Sequence, residues 1–252
     1  MKRFILSIAM LAMTAGSAWA QAYNQRFDTD RDGEVSLSDV TYLVGYLLGK
    51  VTPYEYVDLD LPSGTLWATM NIGASKPEQY GDYFAWGETS GYNGGKTDFS
   101  WSTYTLCKGS STTLTKYNNS SDYGTVDNKT ELELADDAAY VNWGPNWRMP
   151  SVEQFVELIN SSYTTTEWTT VNGVNGWKIT SKTNGNSIFL PAAGCRIGTS
   201  LTSAGSNGIY WSRSLDASYP DSARGLFFNS SGINTYYSYR CDGLSVRPVR
   251  NQ

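Results

Sequence analysis

Trp177-Lys178-Ile179-Thr180-Ser181, followed by Lys182-Thr183-Asn184-Gly185 and then Asn186-Ser187-Ile188-Phe189-Leu190, is the stretch whose reading decides the fold. Apolar and polar residues alternate on both sides of Asn184-Gly185. An Asn-Gly pair supplies the positive-φ residues that a tight hairpin turn demands. Two antiparallel strands are therefore expected over 177–181 and 186–190. Upstream, Ser151 and Gln154 stand three apart after Pro150, in the pattern of a capping box. Val152, Phe155, Val156, Leu158 and Ile159 then provide the apolar face of a helix. A shorter helix is expected from Asp136 to Trp143, with acids at its positive end and Gly144-Pro145 stopping it. Helices segregated from a small antiparallel sheet define an α+β class.

Working outward, Val57-Asp58-Leu59, Gly64 to Ala68 and Gly81 to Gly87 read as early strands, and further short strands are expected near Tyr210, Leu226 and Val246. Residues 90–128 are rich in Gly, Ser, Thr, Asn and Tyr, which indicates a long ordered insertion with little regular structure.

The first twenty residues carry Lys2-Arg3, an apolar run from Phe4 to Met13, and small residues ending at Ala18-Trp19-Ala20. That is the pattern of a cleavable export signal, and its apolar run is too short to span a bilayer. Secretion or display at the cell surface is expected, with no transmembrane span. Lys2 and Arg3 are the only charges before Gln21, so the remainder carries 17 basic against 24 acidic residues, a net of −7. Nucleic acid is not an expected partner for so acidic a chain. Histidine is absent. Ser-His-Asp and Cys-His nucleophiles and the two-His zinc helix are thereby excluded. Three cysteines, Cys107, Cys195 and Cys241, allow one internal bridge at most, and Cys195 with Cys241 is the candidate pair.

Asp28, Asp30, Asp32 and Asp39 occupy positions 1, 3, 5 and 12 of a loop with Gly33 at position 6 and Ser36 at position 9. These are the ligand positions of an EF-hand-type loop, in which alternate carboxylates converge on calcium and Glu34 offers its backbone carbonyl. Val40, Leu43, Val44 and Leu47 follow at helical spacing, so a loop and its exit helix are expected over 21–52. The main domain then covers 54–250.

The tail from Leu190 to Arg250 sets an aromatic and glycine frame around side chains of every chemical kind. Arg196, Ile197, Asn207, Ile209 and Arg213 lie in its first half. Asp221, Arg224, Asn234, Tyr236, Tyr237, Tyr239, Arg240 and Asp242 lie in its second. Contact surfaces favour Tyr, Trp and Arg, so these residues are the candidate ligand-binding set. On a strand, Tyr236, Ser238 and Arg240 share one face and Tyr237, Tyr239 and Cys241 the other, and spacing alone leaves the outward set open.

Several of these segments resemble known families. Asp39-Val40-Thr41-Tyr42-Leu43 with Tyr46-Leu47-Leu48-Gly49 resembles the calcium repeat of type I dockerins. Dockerins commonly pair two repeats to grip a cohesin, whereas one copy is present, so a cohesin-like partner is implied only through that resemblance. Leu61-Pro62-Ser63-Gly64-Thr65-Leu66-Trp67-Ala68, Gly81 to Glu88, Trp147-Arg148-Met149-Pro150-Ser151 and Gly243 to Val249 resemble the Fibrobacter succinogenes major paralogous domain. Asp137 to Trp143 followed by Trp147 to Phe155 is more distantly similar to the paired helices of formylglycine-generating enzymes. Together these resemblances imply a C-type lectin-like domain with two helices and long loops. The catalytic cysteine motif of those enzymes is not matched at Cys195 or Cys241. The tail is also similar to variable proteins of diversity-generating retroelements. Adenine-directed change there would turn Tyr into Cys, as at Cys195 and Cys241, and Asn into Ile or Ser, as at Ile197, Ile209, Ile233 and Ser238.

The function expected is non-catalytic binding of an extracellular protein or carbohydrate, with calcium as the cofactor. The alternative is a dockerin-bearing accessory of polysaccharide binding or degradation. A thiol oxidase would need Cys195 and Cys241 together, and a glycosidase would need acids such as Asp136-Asp137 or Asp216 with Asp221, which are ordinarily capping groups. Calcium-mediated sugar binding in the main domain is disfavoured, because neither an acid-Pro-Asn nor a Gln-Pro-Asp tripeptide occurs. Arg148 and Arg247 read as structural arginines that pair an acid such as Glu153.

Overall fold

The computed structural model describes residues 54–250. The expected export signal and the expected calcium loop with Asp28, Asp30, Asp32, Glu34, Ser36 and Asp39 lie outside the described residues.

A five-residue connection over 182–186 joins β4 (Val174–Ser181) to β5 (Ser187–Pro191), antiparallel with Thr180 opposite Ser187. Of the Asn184-Gly185 pair only Gly185 has positive φ, so the hairpin forms with a longer loop than the tight turn expected. Trp177 and Ile179 face inward while Lys178 is exposed, as period-2 alternation requires. A strand not expected, β3 (Thr164–Val171), completes this sheet through a second Asn-Gly turn at Asn172-Gly173, both at positive φ. Thr164 at its start is buried, with its hydroxyl donating to the carbonyl of Leu158. Beyond it Trp168 is the one side chain packed on the main core, so β3 lacks the apolar alternation that marks a strand.

A second sheet has the order β10-β9-β8, from β8 (Gly208–Leu215), β9 (Ser222–Asn229) and β10 (Gly232–Tyr239). A third joins β1 (Tyr56–Asp58), β2 (Leu66–Ala68) and β11 (Val249–Arg250), so the first and last described strands meet on Trp67. A small hairpin, β6 (Cys195–Ile197) with β7 (Ser200–Thr202), stands apart. All of these pairings are antiparallel, and with the two short α-helices among the described residues they make an α+β class that leans strongly to β.

Helix α1 (Ala138–Trp143) is capped by Asp137, whose carboxylate accepts from the backbone N of Ala139 and Tyr140. A 3-10 turn over Leu134–Asp136 precedes it, which moves its start past Asp136. Helix α2 (Val152–Leu158) has the expected capping box, with Ser151 Oγ and Gln154 Oε1 each accepting from the other's backbone N–H. Phe155 and Leu158 are buried with Trp67, Trp177, Leu226 and Phe228 in the main core, whereas Val156 is exposed. Truncating a side chain such as Phe155 to Ala removes transfer energy and leaves a cavity, at about 3–5 kcal/mol.

Two strand expectations are corrected. Gly81 to Gly87 is irregular because its backbone donors are split between two segments: Asp82 donates to Ile72, and Phe84 and Trp86 donate to Leu244 and Arg240. Val246 lies outside any strand, and β11 begins at Val249. Residues 90–128 form the expected irregular insertion, with two 3-10 turns and isolated bridges. No helix among the described residues is long and apolar enough to cross a membrane.

The structural arginines find other partners than the acid expected. Arg148 Nε donates to Asp137 Oδ2 at 2.8 Å, and Glu153 is exposed. Arg247 is fully buried and donates to Asn71 Oδ1 and to the carbonyls of Ala68, Thr69 and Phe189, tying β2 to β5. Burial lowers its pKa to about 10.

Candidate recognition surface

β10 is the edge of its sheet, and its register sets the surface. Tyr236 lies opposite Gly225, and Tyr237 opposite Arg224. A side chain at Gly225 would collide with the carbonyl of Tyr210, so the backbones approach closely there and the Tyr236 ring has no cross-strand rival. It tilts against Phe227, with ring centroids 6.2 Å apart. The Tyr236 and Tyr237 rings stack at 4.9 Å and 7°.

The turn from β8 to β9 brings a third ring. Asp216 Oδ1 accepts from the backbone N of Ser218 and Tyr219, at 3.0 and 3.1 Å, which folds the turn so that Tyr219 stacks on Tyr237 at 5.5 Å. Asp216 Oδ2 meets Arg224 Nη1 at 3.3 Å. One buried carboxylate therefore holds both the turn and the arginine facing Tyr237. Tyr239 continues the aromatic surface, edge-on to Trp101 at 6.1 Å. Tyr219, Tyr236, Tyr237 and Tyr239 remain 49, 55, 37 and 56% exposed, so the row faces solvent although its rings touch one another. The Tyr236 phenol raises the pKa of the Tyr237 phenol.

The β6–β7 hairpin borders this region through the Phe99–Trp101 segment. Phe99 and Gly198 exchange backbone bonds, and Arg196 and Gly243 do likewise. The hairpin exposes Ile197 and Leu201. Arg196 lays its guanidinium 3.2 Å from the centre of the Tyr92 ring, a cation–π contact. Asp242 lies half-buried beside Cys241, and burial raises its carboxyl to about 7.

The candidate ligand set is therefore only partly brought together. Arg224, Asn234, Tyr236 and Tyr237 share the β9–β10 ribbon, with Ile209 half-buried on β8 opposite Phe227. Arg196, Ile197 and Asp242 gather around the hairpin. Asn207 accepts from Gly194 N through its carbonyl, and Asp221 accepts from Arg240 N through its own; both are half-buried. Arg213 turns elsewhere, to Glu131, Gln154 and the carbonyl of Met149.

Arg240 corrects the expectation outright. It is fully buried, stacked near Trp86 and Tyr104, and its guanidinium donates to Tyr104 Oη and to the carbonyls of Lys116, Tyr117 and Pro220. It is an interior clamp on the long insertion, where its fork satisfies otherwise unpaired carbonyls.

No family model, curated protein or solved structure matches the chain.

The expected Cys195–Cys241 bridge is not formed: all three thiols are free, with Cys195 and Cys241 buried. Burial raises both thiols, Cys241 to about 12, which keeps them protonated and poorly nucleophilic at neutral pH. The acids named for a glycosidase have structural partners: Asp137 caps α1 and binds Arg148, Asp136 meets Lys116 and Tyr117, and Asp216 folds the Tyr219 turn. Sequence reasoning missed Trp101 and the organising role of Asp216. The latter's signal was Asp216-Ala217-Ser218, an acid placed to bond the backbone two residues on.

Proposed function

We propose that the chain is an exported, non-catalytic ligand-binding protein whose recognition surface is the tyrosine row on the β10 edge. The observation that carries this reading is the stacking of Tyr219, Tyr237 and Tyr236 into one exposed row. Aromatic rings held in place by their neighbours lose little entropy on binding, and each phenol adds a donor and an acceptor at the rim. Stacked rings cover part of one another's faces, so contact through ring edges and hydroxyls suits an extracellular protein better than face-on stacking of a sugar. A C-type lectin-like scaffold of the Fibrobacter major paralogous type accounts for a small sheet and two helices carrying long loops. In this reading the calcium repeat over 21–52 acts as a metal-stiffened cap or stalk, with Asp28, Asp30, Asp32, Glu34, Ser36 and Asp39 as ligands.

The diversification reading fits the surface unevenly. Ile197 is exposed, but Cys195 and Cys241 are buried, where substitution would disturb packing rather than contact.

The test is chemical footprinting. Whole protein is bound to immobilised extracellular proteins or to xylan, glucan and mannan, and tyrosine nitration is mapped by mass spectrometry. Protection of Tyr236, Tyr237 and Tyr239 on any retained partner supports the reading. A retained partner that leaves all three as reactive as in free protein contradicts it.

A further inference from the structure

We propose that the cleft bounded by Arg148, Arg213 and Arg250 is a second binding site, which takes a small carboxylate-bearing molecule. Three backbone segments converge to form it. Arg148 and Val249 exchange bonds of 2.9 Å, which sets Arg148 beside Arg250, and Arg213 N donates to the carbonyl of Pro150 at 2.8 Å. The cleft encloses about 400 Å³, within the range of small-molecule pockets, and Asn146 and Gln154 add amides to its wall.

Its charges do not balance. Arg148 is held by Asp137, and Arg213 by the exposed Glu131. Arg250 lies over the Tyr56 and Trp147 rings and forms no ion pair with an acid among the described residues. Its Nε is buried without a hydrogen-bond partner among them. A buried, unsatisfied cationic donor is unfavourable, and a partner acceptor removes that penalty. A guanidinium can grip a carboxylate through its two terminal Nη groups with two parallel bonds, which a lysine cannot reproduce. The rings over which Arg250 lies restrict its motion, and of the three arginines in the cleft wall it is the one with no carboxylate partner among the described residues. None of the rings of the tyrosine row lines this cleft, so the two sites stand or fall separately.

The whole protein is titrated calorimetrically with galacturonate, a sugar-sized carboxylate, and with galactose and inorganic sulfate. Galacturonate is expected to bind one site with a Kd of roughly 1 mM or tighter, and the other two at least about tenfold more weakly. Arg250→Lys keeps the cation over its rings but loses the fork, and is expected to weaken galacturonate at least about tenfold while Tyr236→Ser leaves it unchanged. If Arg250→Lys unfolds, Asn146→Asp places a negative charge at the rim and is expected to cause a similar loss. No galacturonate binding below roughly 10 mM, sulfate binding as tightly as galacturonate, or an unchanged Kd in the folded variant would overturn the proposal.

Discussion

The carboxylate of Asp216 meets the guanidinium of Arg224 at 3.3 Å, and its other oxygen folds the turn that carries Tyr219 onto Tyr237. One acid thus couples the strand that supports the tyrosine row to the turn that ends it. Asp216→Ala removes an acceptor from two backbone donors and the partner of Arg224. It is expected to destabilise the domain by about 1–3 kcal/mol in urea unfolding. Tyr219 is expected to lose its contact with Tyr237, read as altered ring shifts in proton NMR. Unchanged shifts would show that the stack does not depend on this carboxylate.

Arg240 and Arg224 are expected to behave oppositely, although both looked like surface arginines. Arg240→Met leaves the carbonyls of Lys116, Tyr117 and Pro220 without their buried donor, so a loss of at least about 3 kcal/mol is expected. Arg224→Met removes one part-exposed ion pair, for which about 1 kcal/mol or less is expected. Denaturant midpoints of the two variants check the contrast.

Asp242 makes stability depend on pH in the reverse sense from most acids. Burial raises its carboxyl to about 7 in the folded protein, against about 4 in an unfolded chain. Between those values the folded form holds the proton and the unfolded form does not, so this group's contribution falls as pH rises from about 4 to 7 and is then constant. After allowance for partial exposure the loss is about 1–2 kcal/mol. Asp242→Asn is expected to remove that decline, so its melting temperature should exceed the parent's at pH 8 more than at pH 4. An equal gap at both pH values would contradict the buried-acid account.

Calcium is expected to bind one site in the whole protein. Asp30→Ala with Asp32→Ala removes two carboxylates from the loop and is expected to abolish the calorimetric signal. Signal retained in the double variant would place calcium elsewhere.

Local chemistry was readable from the sequence where one segment decides its own conformation. The Ser151–Gln154 capping box, the Asp137 cap and the Asn184-Gly185 hairpin need only neighbours in the chain. The tail was harder, because its outward set depends on distant partners. Arg240 reads as a contact residue until the carbonyls of residues 116 and 117 are known to reach it from more than a hundred positions away. Tyr236 and Tyr237 both stay exposed, although adjacent residues on a strand point to opposite faces, because β10 is an edge strand. The outer strand β3 was invisible for the converse reason, since it is mostly threonine and Trp168 is its one apolar side chain packed on the main core.

The central claim is that the tyrosine row does the binding. It is tested most directly by comparing the parent with the variant Tyr236→Ser, Tyr237→Ser, Tyr239→Ser against whichever partner the parent retains, with Kd measured by surface plasmon resonance. Exposed rings contribute little to the fold, so an unchanged melting temperature with affinity weakened at least about a hundredfold is expected. A variant that folds and binds as tightly as the parent would contradict the account.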